Sequence, residues 1–136
     1  MMREAVEKYL GDWPEPDAEI WKIRYNCAEA TLRAANECYA LGLGPMTLKA
    51  IAPFGGGFYM ERTCGVVSGG LAAIGVMFAQ DHPYASARVK EMAKKWVTAF
   101  EERFGSSVCA QVKQGRDCRE LVRQAAELLE AVLVSE

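Results

Sequence analysis

The chain of 136 residues carries five cysteines and a single histidine. They are Cys27, Cys38, Cys64, Cys109, Cys118 and His82. A thiolate can ligate a metal, attack a disulfide or hold an iron–sulfur cluster, and a protonated thiol does none of these well. The useful question is which thiols stand where negative charge is favoured. Cys27 follows Asn26, Cys64 follows Thr63, Cys109 comes two residues after Ser107, and Cys118 follows Asp117. Asn, Thr, Ser and Asp are N-cap residues. Each of the four thiols is therefore expected in a first helical turn, where unpaired backbone N–H groups and the helix dipole stabilise a thiolate. Inert core cysteines have no reason to gather at helix starts. Cys38 falls mid-helix on an apolar face and reads as a small core residue. His82 lies between Asp81 and Pro83 at a turn and reads as a solvated loop residue.

The rest of the chain is organised around residues 53–80. Three glycines, Gly55, Gly56 and Gly57, lead through Glu61 and Arg62 to Thr63-Cys64-Gly65, and no charged side chain follows as far as Gln80. Arg62 would lower the pKa of its neighbour, which makes Cys64 the candidate redox thiolate. The amides of Gly55, Gly56 and Gly57 are candidate N–H···S donors to a bound cofactor. Gly65, Gly69 and Ala73 recur at four-residue steps. A helical glycine costs roughly 1 kcal/mol relative to alanine, so this face is expected to meet another backbone closely.

Several chemistries are excluded. There is no Cys-x-x-Cys, hence no zinc ribbon, thioredoxin-type pair or ferredoxin run, and no Cys-x-x-Cys-His for haem. The triple glycine follows no strand, so it is not a nucleotide fingerprint. The lone histidine is badly placed for a cysteine protease.

The elements that position these residues all read as helices. Residues 1–10 form a short one, ended by Gly11. Residues 12–16 form an extended connection with two prolines, and Asp17 starts a further piece through Ile20, Trp21 and Ile23. Asn26 and Glu29 have the spacing of a capping box, opening a helix to about Leu41. Pro45 or Thr47 starts a short helix through Ile51. Residues 86–104 show the clearest amphipathic stripe (Val89, Met92, Ala93, Trp96, Val97, Phe100 and Phe104). Asp117 and Glu120 repeat the capping-box spacing before a last helix whose apolar face runs from Cys118 to Val132. No stretch alternates with period two. The expected fold is all-α, a compact bundle of about five or six helices, with residues 1–24 as an N-terminal helical extension of a cysteine-bearing domain at 25–136.

Composition points to one ordinary globular domain: 51% hydrophobic, 25% charged, net charge −2. That balance gives no case for nucleic acid or an anionic membrane. The uncharged run at 63–80 falls short of the roughly 20 apolar residues of a membrane span. With no secretory segment at the start and an odd cysteine count, a cytoplasmic protein without a disulfide framework is expected.

The ordered set Tyr-Asn-Cys-Ala-Glu-Ala (25–30), Phe-Gly-Gly-Gly (54–57), Cys-Gly-x-x-x-Gly (64–69) and two later cysteines resembles the redox-active proteins named for their C-GCAxxG-C-C cysteine signature. The ending from Cys118 is similar to that family's last helix. The resemblance spans about residues 25–133. It implies that Cys27, Cys64, Cys109 and Cys118 are the signature cysteines and that Cys38 lies outside the set. At the second cysteine the pattern Gly-Cys-Ala-x-x-Gly falls on residues 63–68, where only the cysteine agrees. A related domain occurs in a multihaem cytochrome that also carries an iron–sulfur centre, so the resemblance also suggests a cluster.

Two functions of different class follow. In the first, four convergent thiols form a redox site. They either ligate an iron–sulfur cluster that passes electrons to a protein partner or cycle as a dithiol–disulfide couple. In the second, the same four cysteines hold a structural zinc ion in a non-catalytic adaptor. Buried inert thiols are the bland alternative. The small-residue helix faces would also suit a homodimer.

Overall fold

The computed structural model describes residues 1–10, 25–80 and 87–135. The expected turn after Gly11, the helical piece from Asp17 and the assignment of His82 fall outside the described residues. Among those described the chain is all-α, with seven α-helices and no strand. They are α1 (Met2–Leu10), α2 (Cys27–Cys38), α3 (Pro45–Ala50), α4 (Gly65–Phe78), α5 (Ala87–Phe104), α6 (Cys109–Val112) and α7 (Cys118–Leu133). The count exceeds the expected five or six because short helical turns such as α6, four residues long, are too brief to show periodicity. No helix among the described residues is long and apolar enough to cross a membrane.

The centre of the molecule is the seam between α2 and α4. Both helices carry small residues there, and the contact is tight enough to forbid larger ones. A Cβ on Gly69 would stand 2.7 Å from the Ala28 carbonyl oxygen, and one on Gly65 would stand 2.4 Å from Cys27 Sγ. On the next face of α4, a Cβ at Gly70 would come within 2.5 Å of Trp96 Nε1. The missing side chain makes room for the Trp96 indole, which is fully buried and donates to the Val67 carbonyl at 3.1 Å. The expected stripe of α5 is the buried one, with Met92, Trp96, Phe100 and Phe104 inward.

α7 closes the bundle with Leu121, Val122, Ala125, Leu129 and Val132. α1 packs on α2 and α7 through Met2 and Val6, both fully buried. Its start is tied to α7 by the Met2 amide, which donates to Glu130 Oε1 at 2.8 Å, and by Arg3 paired with Glu120. Helix α1 is thus integral to the core.

Between Phe54 and α4 the backbone does something sequence periodicity does not reveal. Gly56 (φ 59°), Phe58 (φ 63°) and Tyr59 (φ 57°) are all left-handed, so the chain makes a left-handed helical turn across 56–59. Gly57, at φ +63°, completes it, and a Cβ there would stand 2.4 Å from the Arg62 amide nitrogen. The turn closes where the Arg62 amide donates to the Gly57 carbonyl at 3.0 Å.

Candidate functional site: four helix starts around one cavity

Four short-range choices set the four thiols. At α2 the capping box is complete. Asn26 Oδ1 accepts from the Glu29 amide at 2.9 Å, and Glu29 Oε1 accepts from the Asn26 amide at 3.0 Å. That makes Cys27 the first helical residue. At α7, Asp117 caps the Arg119 amide at 2.8 Å and Cys118 is again first. The other two starts differ from expectation by one residue. Cys64 itself is the N-cap of α4, not Thr63, and Val108, not Ser107, is the N-cap of α6.

The reason is a backbone pairing. Thr63 and Val108 form an isolated antiparallel bridge. The Cys64 amide donates to the Ser107 carbonyl at 2.7 Å, and the Cys109 amide to the Arg62 carbonyl at 2.5 Å. Extended pairing occupies Thr63 and Ser107 and delays each helix by a residue. Because side chains alternate along an extended pair, Cys64 and Cys109 fall on the same face of it. The Ser107 hydroxyl, free of capping, donates to Glu101 instead.

Cys27, Cys64, Cys109 and Cys118 line a single cavity of about 170 Å³, with Gly56, Val66, Val112, Lys113, Leu121 and Val122. The walls are mainly aliphatic, and the charged side chain among them is a cation. A second, outer groove of about 260 Å³ adjoins it, lined by Tyr25, Asn26, Tyr59 and Arg119 among others, and it shares Cys27, Gly56, Cys118 and Val122 with the first. Cys27 and Cys118 therefore border both spaces, whereas Cys64 and Cys109 border the inner one. Cys38 sits elsewhere, beside α1 in a surface depression with Lys8 and Glu37, and burial pushes its thiol pKa up. All five cysteines are thiols.

The expected thiolate at Cys64 requires correction. Burial pushes this thiol up to about 12, and the neighbouring Cys27 adds to the rise. The Val66 and Val67 amides act in the opposite direction without closing a cap hydrogen bond. Desolvation of a charge in an apolar pocket outweighs the helix start. Arg62, expected to lower this pKa, is exposed, and the leading influences on Cys64 are burial, Cys27 and the Val66 and Val67 amides. Cys109 is also raised, first by burial and then by Cys27, while Lys113 pulls it down. Lys113 in turn pairs with Glu61.

Of the three loop glycines, Gly56 alone faces the cavity. A Cβ on Gly55 would stand 2.2 Å from Asn26 Cγ, so that glycine makes room for the α2 cap. Reading the sequence missed Lys113 and Arg119. Both had a signal: Lys113 lies four residues after Cys109, one helical turn, and Arg119 directly follows Cys118.

As a test of a bound metal, the donors are four thiols on one cavity, the set an iron–sulfur cluster uses. Among the described residues, however, no three His, Cys, Asp or Glu side chains close to the spacing of ligands on one metal ion. Four cysteine thiols are equally the donor set of a structural zinc site.

Comparison of the chain with curated proteins returns no match, and comparison with solved structures likewise returns none. A family model does match, over residues 25–132, and its description is Putative redox-active protein (C_GCAxxG_C_C). Those residues run from Tyr25, ahead of the α2 cap, to the last turn of α7 and take in all four thiols of the cavity. The chain belongs to that redox-active protein family.

Proposed function

We propose that this is an electron-transfer protein in which Cys27, Cys64, Cys109 and Cys118 hold an iron–sulfur cluster. The observation that carries the reading is that four separate helix starts bring one thiol each to one aliphatic cavity. The pKa of Cys64 supports it. A thiol pushed up to about 12 is a poor free nucleophile at neutral pH. Coordination is what ionises a thiol so deeply buried. Lys113 and Arg119, the charged side chains lining the two spaces, would offset the thiolate charge.

A bound cluster supplies a one-electron couple whose potential depends on burial and on hydrogen bonds to sulfur. Within this chain, Val66, Val112, Leu121 and Val122 keep water from the inner cavity. The Val66 and Val67 amides face the Cys64 sulfur, and Gly56 lets backbone approach without a side chain between. Cys27 and Cys118, which also border the outer groove, form the side nearest solvent and a partner.

One observation favours a second reading, a dithiol–disulfide couple: burial pushes the Cys64 and Cys109 thiols up, and Cys27 stands near enough to both to push them further. In that reading Cys64 is the resolving thiol, since burial disfavours it as the attacking thiolate.

The test is anaerobic purification without added metal, followed by a visible spectrum, iron, sulfide and zinc analysis, and thiol counts before and after reduction. A brown protein with iron and acid-labile sulfide, bleached by dithionite and lost in each of the four Cys→Ser variants but retained in Cys38→Ser, is expected. Stoichiometric zinc without colour overturns the redox reading. Two thiols that appear only on reduction, without metal, select the disulfide couple.

A further inference from the structure

We propose that the apolar band running from α3 across residues 52–60 to the start of α6 is a homodimer interface, which seats a second copy of this chain beside the mouth of the cysteine cavity. The proposal goes beyond the redox reading and does not depend on it.

The first observation is the band itself. Met46, Phe54, Phe58, Tyr59, Met60 and Val108 are 78%, 40%, 42%, 73%, 66% and 39% exposed. They lie on elements that touch one another in turn. Helix α3 meets the 3-10 turn Ala52–Phe54, that turn meets the left-handed turn, and the left-handed turn meets α6. Phe54 and Phe58 stand edge to face, with ring centroids 5.7 Å apart. Among the described residues the other exposed large hydrophobics, Met1, Tyr25, Val76 and Val134, are scattered over separate helices or their ends.

The second is area. At about 200 Å² for a large side chain, the six offer roughly 600 Å² of exposed apolar surface. That is the upper end of what a typical monomer leaves open, about 300–600 Å². A stable interface buries about 800 Å² on each partner, about 65% of it apolar in homodimers. The band supplies that apolar share, and with Phe, Tyr and Met, the types enriched in interface cores.

The third is that folding makes no use of it. Phe58 and Tyr59 hold left-handed backbone, yet neither ring is buried. Tyr59 makes one long contact, accepting from Asn26 Nδ2 at 3.4 Å. Strain held without folding gain points to something outside the chain. The small-residue faces expected to suit a homodimer are consumed by the α2–α4 seam, where Gly65 and Gly69 meet Cys27 and Ala28. Self-association therefore falls to the band.

The fourth concerns the occupant. At the edge of the band Glu61 and Arg62 are adjacent and exposed, and Lys113 pairs with Glu61. Both signs thus stand together. A twofold axis lays a patch onto itself, so the carboxylate of one copy can face the guanidinium of the other, where a patch of one sign would repel its copy. Tyr59 also lines the outer groove, which opens onto Cys27 and Cys118. The interface therefore borders that groove in both copies.

The experiment is sedimentation velocity on the full chain between about 1 and about 200 µM, the range in which a micromolar dimer dissociates. Reductant is present, so that no intermolecular disulfide contributes. A species of twice the 15.0 kDa chain mass is expected at the upper end. Tyr59→Asn with Met60→Lys should weaken it about tenfold or more. Both side chains are exposed and asparagine tolerates left-handed backbone, so this variant remains folded. Arg62→Glu should weaken the dimer, and adding Glu61→Arg in the same chain should restore it. Val134→Lys, exposed but outside the band, should leave it unchanged. A monomer at every concentration overturns the second copy as occupant and leaves the band to a different protein. A dimer unmoved by the Tyr59 and Met60 pair, or weakened equally by Val134→Lys, overturns the band as its interface. Assemblies that keep growing with concentration overturn the twofold contact.

Discussion

Two stretches of backbone meet at the cysteine cavity, and they treat glycine in opposite ways. Along the α2–α4 seam, Gly65, Gly69 and Gly70 stand where a Cβ would collide with Cys27, Ala28 or Trp96. In the turn at 56–59, Phe58 and Tyr59 occupy left-handed backbone that glycine would adopt freely. At the seam each residue agrees with its packing, and a few tenths of an ångström matter because interiors are close-packed. In the turn the residue type opposes the local geometry, and the conflict is tolerated beside the thiols. Agreement across levels marks what the fold requires, while a local conflict that gains nothing for the fold points to function.

The comparison breaks if the seam tolerates bulk. Gly70→Ala should cost about 2–3 kcal/mol by overpacking the Trp96 indole, read from denaturant midpoints. A change under half of that would mean the helices can separate, and the seam would lose its meaning.

The buried side of the site can be sharpened by pH. The folded Cys64 pKa, pushed up to about 12, lies above that of an unfolded thiol, so the folded state holds its proton more tightly. Its contribution is fully present below about pH 8.5 and is lost as pH rises toward 12, with a limiting slope of about 1.4 kcal/mol per pH unit. Stability of the metal-free, reduced protein should therefore decline through that window, and Cys64→Ala should flatten the decline. A wild-type curve as flat as that of the variant would show Cys64 to be less buried than its surroundings imply. In the same preparation, alkylation at pH 8 should reach the exposed Cys118 first and Cys64 last, followed by mass spectrometry.

The strained side has its own test. Tyr59→Gly should raise stability by about 1 kcal/mol by relieving left-handed strain, seen as a higher thermal midpoint. A loss of stability of the same size would mean that the tyrosine ring supports the fold after all. The smallest effect is expected at the rim. Lys113→Met removes an exposed ion pair with Glu61, and such pairs contribute about 0.2–1 kcal/mol. Its clearer sign would be slower thiol labelling at Cys109, which Lys113 holds down against burial.

Much of the candidate site was legible locally. Asn26 with Glu29, and Asp117, announce helix starts through side chains that satisfy nearby amides, and both caps form. The four-residue glycine steps announce a close seam because helical periodicity puts them on one face. The starts at Cys64 and Cys109 were misplaced by one residue, since the bridge between Thr63 and Val108 joins residues 45 positions apart in sequence. The left-handed turn escaped notice because aromatic residues give no hint of positive φ.

The amino-acid sequence by itself therefore determined an all-α chain, four thiols at or beside helix starts, and a small-residue face for α4. These depend on contacts within one helical turn. Only the tertiary structure decided that the four starts share one cavity, that Cys64 is the most deeply buried of them, and that Cys27 and Cys118 face the outer groove. Those outcomes depend on burial, and burial is set by helices that meet from distant parts of the chain.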